Sequence, residues 1–187
     1  EAVRRRAGFT ESDLPTLAAW VRAANIRWGV DARAKEAAGL PPEPANTWRA
    51  GFDRLLMGYA VGESEELIAG TLPHGSATAG RAETLGRFID WAERLFKRVE
   101  GLRRERPLRE WAAVLAELPD DFFDAQEDEE QDAVTRIRAE TRRLGELATL
   151  SGYARPVPLG VLNDHLERAF ADDGFGSGFI SGAITFC

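Results

Sequence analysis

Apolar residues recur at three- and four-residue intervals over most of this chain, and that period predicts helices. The sharpest case is residues 46–60, NTWRAGFDRLLMGYA. At about 100° per residue, Trp48, Phe52, Leu55, Leu56 and Tyr59 fall within one arc of roughly 100°, a core-facing stripe. Gly51 and Gly58 lie together on its edge. Two glycines on one side cost helix propensity, so they predict close approach by another backbone. Met57 and Ala50 make the far side weakly apolar, so this helix is expected to be central and buried on both sides.

The same reading extends along the chain. Thr10, Glu11, Ser12 and Asp13 form a helix start of the Ser/Thr-x-x-acid kind, with Pro15 in the first turn. Leu14, Leu17, Trp20, Val21 and Ala24 follow at helical spacing, and Asn25 suits a left-handed cap. Asp31 is placed to cap a short helix ending at Gly39. Pro41, Pro42 and Pro44 stiffen the next loop; Asn46 or Thr47 caps the central helix and Gly62 ends it. Residues 63–79 are weakly structured, with one helical turn expected around Leu67.

Residues 81–100 give the cleanest long helix, with Leu85, Phe88, Ile89, Ala92, Leu95, Phe96 and Val99 on one face. Pro107 opens another, with Leu108, Trp111, Ala112, Leu115 and Leu118 inward, and Pro119 is expected to stop it. The acidic run 120–132 leads into a helix carrying Ala133, Val134, Ile137, Leu144, Leu147 and Ala148, as the helix dipole favours. A proline-bounded link over 153–158 precedes a last helix marked by Leu159, Leu162, Leu166 and Phe170. Gly174, Gly176 and Gly178 loosen the chain, and residues 179–187 have the pattern of a β-strand with no partner strand in this sequence.

Composition narrows the function classes. With 187 residues, 44% hydrophobic and 29% charged, the chain is long enough for one good-sized globular core. No apolar run approaches the roughly 18 residues of a membrane span, and the first residues lack the apolar stretch of a signal peptide. The absent initiator Met and the unpartnered strand lead us to expect a piece of something longer. The single cysteine, Cys187, suits a reducing compartment. A net charge of −7 argues against tight, non-specific DNA binding by this chain alone.

Candidate chemistry is sparse. No phosphate-binding loop of the Gly-x4-Gly-Lys-Ser/Thr kind is present. The glycine-rich 174–178 follows a helix and precedes a strand, the reverse of a dinucleotide loop, and reads as a flexible exit. His74 and His165 are the only histidines, and neither has a second His or Cys nearby for zinc or nucleophilic chemistry. Asp164 beside His165 points about 100° away on a helix, so the two read as surface residues. The acidic cluster lacks a defined ligand spacing and reads as a solvated loop. No catalytic, cofactor-binding or metal residue is therefore assigned. The basic candidates are Arg87, Arg94 and Arg98, within an arc of roughly 40° opposite the apolar face of the long helix, followed by Arg103, Arg104, Arg106 and Arg109. Such a stripe suits DNA-backbone phosphates. The interleaved Asp90, Glu93, Glu100 and Glu105 equally suit a solvated helix face. The five tryptophans lie on or beside apolar stripes or, for Trp28, anchor a connector, so they are read as packing residues rather than base-stacking platforms.

Four stretches in order carry a resemblance: Ile26-Arg27-Trp28-Gly29-Val30-Asp31; the whole of 46–60; Arg106-Pro107-Leu108-Arg109-Glu110-Trp111; and Phe179-Ile180-Ser181-Gly182-Ala183-Ile184-Thr185-Phe186-Cys187. Together they resemble the middle of RecC-family subunits, the gamma chain of exodeoxyribonuclease V (the RecBCD helicase–nuclease). The resemblance runs from about Phe9 to Cys187 and is looser at 61–80 and 120–135. It implies a mainly α, helical bundle-like 2B insertion of a superfamily 1 helicase-like fold, with one C-terminal β-strand belonging to an adjacent RecA-like 2A domain. Residues 1–8 would be a lead-in, 9–175 the 2B-like domain, and 176–187 the linker and first strand returning to the 2A-like core. The implied role is non-catalytic: strand guiding and subunit contact in a DNA-repair complex of the bacterial cytoplasm. RecB-like and RecD-like subunits and DNA ends would be the partners, with ATP and magnesium handled only by the partner subunits. Arg87, Arg94, Arg98, Arg103 and Arg104 are the candidate DNA-backbone contacts. The rival class is an independent helical protein-interaction module without DNA contact.

Overall fold

The computed structural model describes residues 1–75 and 79–172. The expected strand at 179–187, the linker before it and the glycine-rich exit lie outside the described residues. Within them the chain is mainly α, with eight α-helices: α1 (Ala2–Arg6), α2 (Leu14–Ala23), α3 (Ala32–Ala37), α4 (Trp48–Val61), α5 (Ala82–Leu102), α6 (Leu108–Phe122), α7 (Asp128–Ser151) and α8 (Leu159–Asp172). They fall into two compact units. One is Phe9–Phe96, and the other joins Glu1–Gly8 to the chain from Lys97 onward.

In the 9–96 unit the helix ends follow local chemistry. The Asp13 carboxylate accepts from the Thr10 backbone N–H and from its hydroxyl, both at 2.8 Å. These two bonds from Thr10 hold the Asp13 carboxyl below its ordinary pKa. Asn25 takes φ 58° after α2. Asp31 caps α3 by accepting from the Ala34 N–H at 2.9 Å. Of the two candidates for the start of α4, Thr47 is the cap, accepting from the Ala50 N–H at 3.3 Å, while Asn46 takes φ 63° before it. Gly62 closes α4 with φ 82°.

The core of this unit is aromatic. The Trp48 ring lies 5.6 Å from Phe52, 5.7 Å from Phe96 and 6.1 Å from Phe88, and Phe52 meets Phe88 edge-on at 5.5 Å. Trp20, Leu55 and Leu85 are the most deeply buried of the other large apolar side chains in this unit, with Ala24 and Ala92 buried as deeply. The stripe on α4 is rotated from the expected one. Gly51, Phe52, Leu55 and Gly58 are buried, whereas Leu56 and Tyr59 are each 45% exposed. The buried face centres on the glycine edge because that is where neighbours come closest. An added β-carbon at Gly58 would sit 2.0 Å from the His74 carbonyl oxygen, and one at Gly51 would meet the Ile26 side chain at 2.2 Å. Leu14 on α2 and Val99 on α5, both expected inward, are also exposed. The helical turn expected around Leu67 is instead a tight turn. Ile68 and Thr71 exchange backbone hydrogen bonds at 2.9 and 3.0 Å across Ala69 (φ 50°) and Gly70 (φ 80°).

The other unit is organised by α6 and α7, which pack on each other. Trp111, fully buried, forms a core with Leu144, Val157 and Leu162, flanked by Leu102, Leu108, Ala112, Leu115 and Leu166. The Trp111 indole N–H donates to the Val157 carbonyl at 2.8 Å. Arg106 and Val157 exchange backbone hydrogen bonds, so the connector before α6 is paired with the link before α8. Pro119 does not stop α6. The helix continues to Phe122, closed by the Phe123 N–H donating to the Pro119 carbonyl at 2.9 Å, and the proline ring is fully buried. So close to the helix end a missing N–H forfeits one hydrogen bond, which ring burial offsets. On α7, Leu144 and Ala148 are buried, but Leu147 is 43% exposed.

Candidate nucleic-acid interface

Each candidate arginine meets a different local environment. On the 9–96 part of α5, Arg87 pairs with Glu83 at 2.7 Å and Arg94 with Asp90 at 3.1 Å, one helical turn earlier in each case. Such helix-surface pairs contribute only about 0.3–0.5 kcal/mol. Arg94 keeps its guanidinium in solvent reach, whereas Arg87 is half-buried, with its Nε buried and unpartnered. In the other unit, Arg98 reaches from α5 to α6 and pairs with Glu117 at 2.9 Å and with Asp121. Burial disfavours its charged form, but the hydrogen bonds that its guanidinium donates to the Glu117 and Asp121 carboxylates outweigh that and raise its pKa. Arg98 is thus a strap between two helices. Arg103 pairs loosely with Glu100 at 3.5 Å. Arg104 is exposed, with no ion pair recorded among the described residues. Arg106 turns inward instead. Its guanidinium lies 4.6 Å above the Trp111 ring and donates to the Gly101 carbonyl at 2.7 Å.

Part of the acidic run serves structure. Asp120 pairs with Arg138 at 2.6 Å, and Asp121 takes Arg98. Glu127 and Glu130 start α7 as a capping box. Glu130 also binds Arg5 of α1, whose guanidinium donates to the Asp124 carbonyl at 3.0 Å. Neither the helical period nor any short motif marks this Arg5–Glu130 anchor, because its two ends are far apart in sequence. Among the described residues no group of three or more His, Cys, Asp or Glu side chains is placed to hold a metal ion. His74 packs its backbone against Gly58, and its Nδ1 is 3.9 Å from Glu63. His165 is exposed beside an apolar groove. No helix among the described residues is long and apolar enough to cross a membrane.

Glu130 carries a pH prediction. Burial raises its pKa, but the N–H groups of Gln126 and Glu127 and the charge of Arg5 outweigh it, leaving the carboxyl below its ordinary 4.5. A depressed folded-state pKa means stability that is present above the unfolded value and lost as pH falls through the folded one. In thermal melts, Glu130→Gln should lower the midpoint at pH 7. The gap to the parent should close as pH drops below about 4.5. A gap that persists unchanged at pH 3 would show that the carboxylate charge is not what holds α1 to the start of α7.

Comparison with known proteins gives one family. The family model described as the RecBCD enzyme subunit RecC fourth domain matches residues 1–174. The RecBCD enzyme subunit RecC of Mycolicibacterium smegmatis is 37% identical over 187 residues, covering 99% of this chain and 17% of that protein. The subunit of the same name from Escherichia coli K12 is 30% identical over 97% of this chain and 16% of its own length. That of Mycobacterium tuberculosis CDC 1551 is 42% identical over 115 residues, 61% of this chain and 10% of its own length. The chain therefore spans about a sixth of the length of the relatives that it matches throughout. A family model matching nearly the whole chain, on a mainly α fold and alongside relatives of one description, places the chain in the RecC family of RecBCD enzyme subunits.

Proposed function

We propose that this chain is a non-catalytic, architectural domain of a RecC subunit within an ATP-dependent DNA helicase–nuclease that acts in double-strand-break repair by homologous recombination. The observation that carries the reading is the family match over residues 1–174. In this reading residues 9–175 are the helical 2B-like insertion of a helicase-like fold, 1–8 lead into it, and 176–187 return the chain to a 2A-like core. RecB-like and RecD-like subunits are the partners, and the complex works on DNA ends in the bacterial cytoplasm. ATP and magnesium act in the partner subunits.

Within that role, Arg87, Arg94, Arg103 and Arg104 contact the DNA backbone. Their weak or absent ion pairs support this, because a phosphate replaces a surface carboxylate at little cost. Arg98 would have to give up two carboxylates to do the same, so its contribution is the smaller one.

The test uses the full-length subunit assembled with its partners, and measures binding to forked DNA ends across a salt series. The double variants Arg87→Glu/Arg94→Glu and Arg103→Glu/Arg104→Glu should each weaken binding and lower the slope of log affinity against log salt by about two. An unchanged slope in both would make the arginines a solvated face and leave the domain as scaffold only.

A further inference from the structure

The 97–172 unit carries a preformed apolar groove of about 390 Å³, and its occupant can be argued from its lining. The walls are the end of α7, the link over 153–158 and the first half of α8, with Leu108, Leu147, Tyr153, Pro156, Val161 and His165 around the opening. The floor is fixed. Trp111 hydrogen-bonds the Val157 carbonyl at 2.8 Å, and the Val157 N–H donates to Arg106 at 2.9 Å. The mouth is exposed: Leu147 by 43%, Tyr153 by 48% and Val161 by 57%, with Leu150 next to it on α7 at 84%. Large apolar side chains gathered around one concavity, rather than scattered singly, are the kind of surface that a protein contact covers.

No lysine or arginine lines the groove, so it offers a nucleic-acid backbone no counter-charge. Apolar lining depleted of charge is the character of a permanent protein–protein contact rather than a transient one. This chain corresponds to 17% of its M. smegmatis relative, so about five-sixths of a subunit of that length lies elsewhere on the same polypeptide. Tethering puts those segments at a high effective concentration. We propose that the groove is the seat of another segment of the same RecC polypeptide, an uncharged apolar protein surface that covers it permanently. The inference rests on the reading of this chain as one domain of a full-length RecC subunit.

Hydroxyl-radical footprinting of the full-length subunit, alone and then assembled with its partners, reads these side chains directly. In the subunit alone, Leu147, Tyr153 and Val161 should be oxidised at least about tenfold more slowly than in the urea-unfolded chain, as buried interface residues are. Left uncovered, Tyr153 at 48% exposure would react within about two- to threefold of its unfolded rate, and that result overturns the inference. Protection that appears only after the partner subunits are added gives the groove to a subunit contact and overturns it too, as does protection that appears only with DNA. Failure of the subunit to assemble with RecB-like and RecD-like chains would count against the functional reading instead, and the footprint of the subunit alone does not depend on that assembly.

Discussion

Gly58→Ala should destabilise the 9–96 unit by about 2–4 kcal/mol, at or above the upper end of the overpacking range. The added β-carbon would lie 2.0 Å from the carbonyl oxygen of His74, 2.3 Å from its carbon and 2.8 Å from its nitrogen. These are backbone atoms, and no rotamer change relieves them. Nor can the segment drift away cheaply. The His74 N–H donates to the Arg54 carbonyl at 3.0 Å, and the Arg54 guanidinium binds the carbonyls of Leu72 at 3.1 Å and Ala24 at 2.9 Å. Arg54 thus straps two connectors to α4, and the alanine would have to break that strap. Gly86→Ala is the control. It sits in α5 with open space around its would-be β-carbon, and there alanine should stabilise by about 0.5–1 kcal/mol through helix propensity alone. Denaturant melts followed by circular dichroism check both signs. Equal small effects at the two sites would mean that the close approach at Gly58 does not exist.

Trp111→Ala should cost about 3–5 kcal/mol in the other unit. The side chain is fully buried at the centre of the core with Leu144, Val157 and Leu162. Its loss removes a large apolar volume, the hydrogen bond to Val157 and the ring face under Arg106. The last matters because Arg106 Nη1 is buried with no hydrogen-bond partner, so the π-face is what compensates its desolvation. Trp111→Phe separates the terms. It keeps most of the volume and a ring for the cation, and drops the N–H donor. The Val157 carbonyl still accepts from the Arg106 N–H at 3.4 Å, so the expected loss is about 1–2 kcal/mol. A phenylalanine variant as unstable as the alanine one would make the indole–carbonyl bond, rather than volume, the dominant contribution. Unfolding is measured by circular dichroism, since Trp111 lies in a different unit from the four other tryptophans.

Local chemistry was enough for most of the longer helices and several of their ends, though not for α1, which the sequence reads as a lead-in, or for the end of α6. Thr10 with Asp13, Asn25, Asp31, Thr47 and Gly62 act within one or two turns of themselves, so their roles follow from hydrogen-bond geometry that any neighbourhood would preserve. The glycines of α4 were legible for the same reason, since a helix keeps two of them on one side only where something comes close. The inward face of a helix is another matter. Leu14, Leu56, Tyr59, Val99 and Leu147 satisfy the apolar period and yet are exposed, because periodicity tells which side chains share a face but not how far the neighbouring element extends over it. The turn at 68–71 is not visible in the sequence because Ala69 in a left-handed conformation has no compositional mark. Pro119 stays inside α6 because burial of its ring, a tertiary effect, offsets the hydrogen bond that it removes. Among the candidate contacts, composition displays the arginines and carboxylates of α5 together, but only packing decides their partners. Arg98 becomes a strap because α6 presents Glu117 and Asp121 to it, and Arg5 becomes an anchor because the start of α7 presents Glu130. Charges find partners through space, and distance along the chain carries no information about distance across the fold.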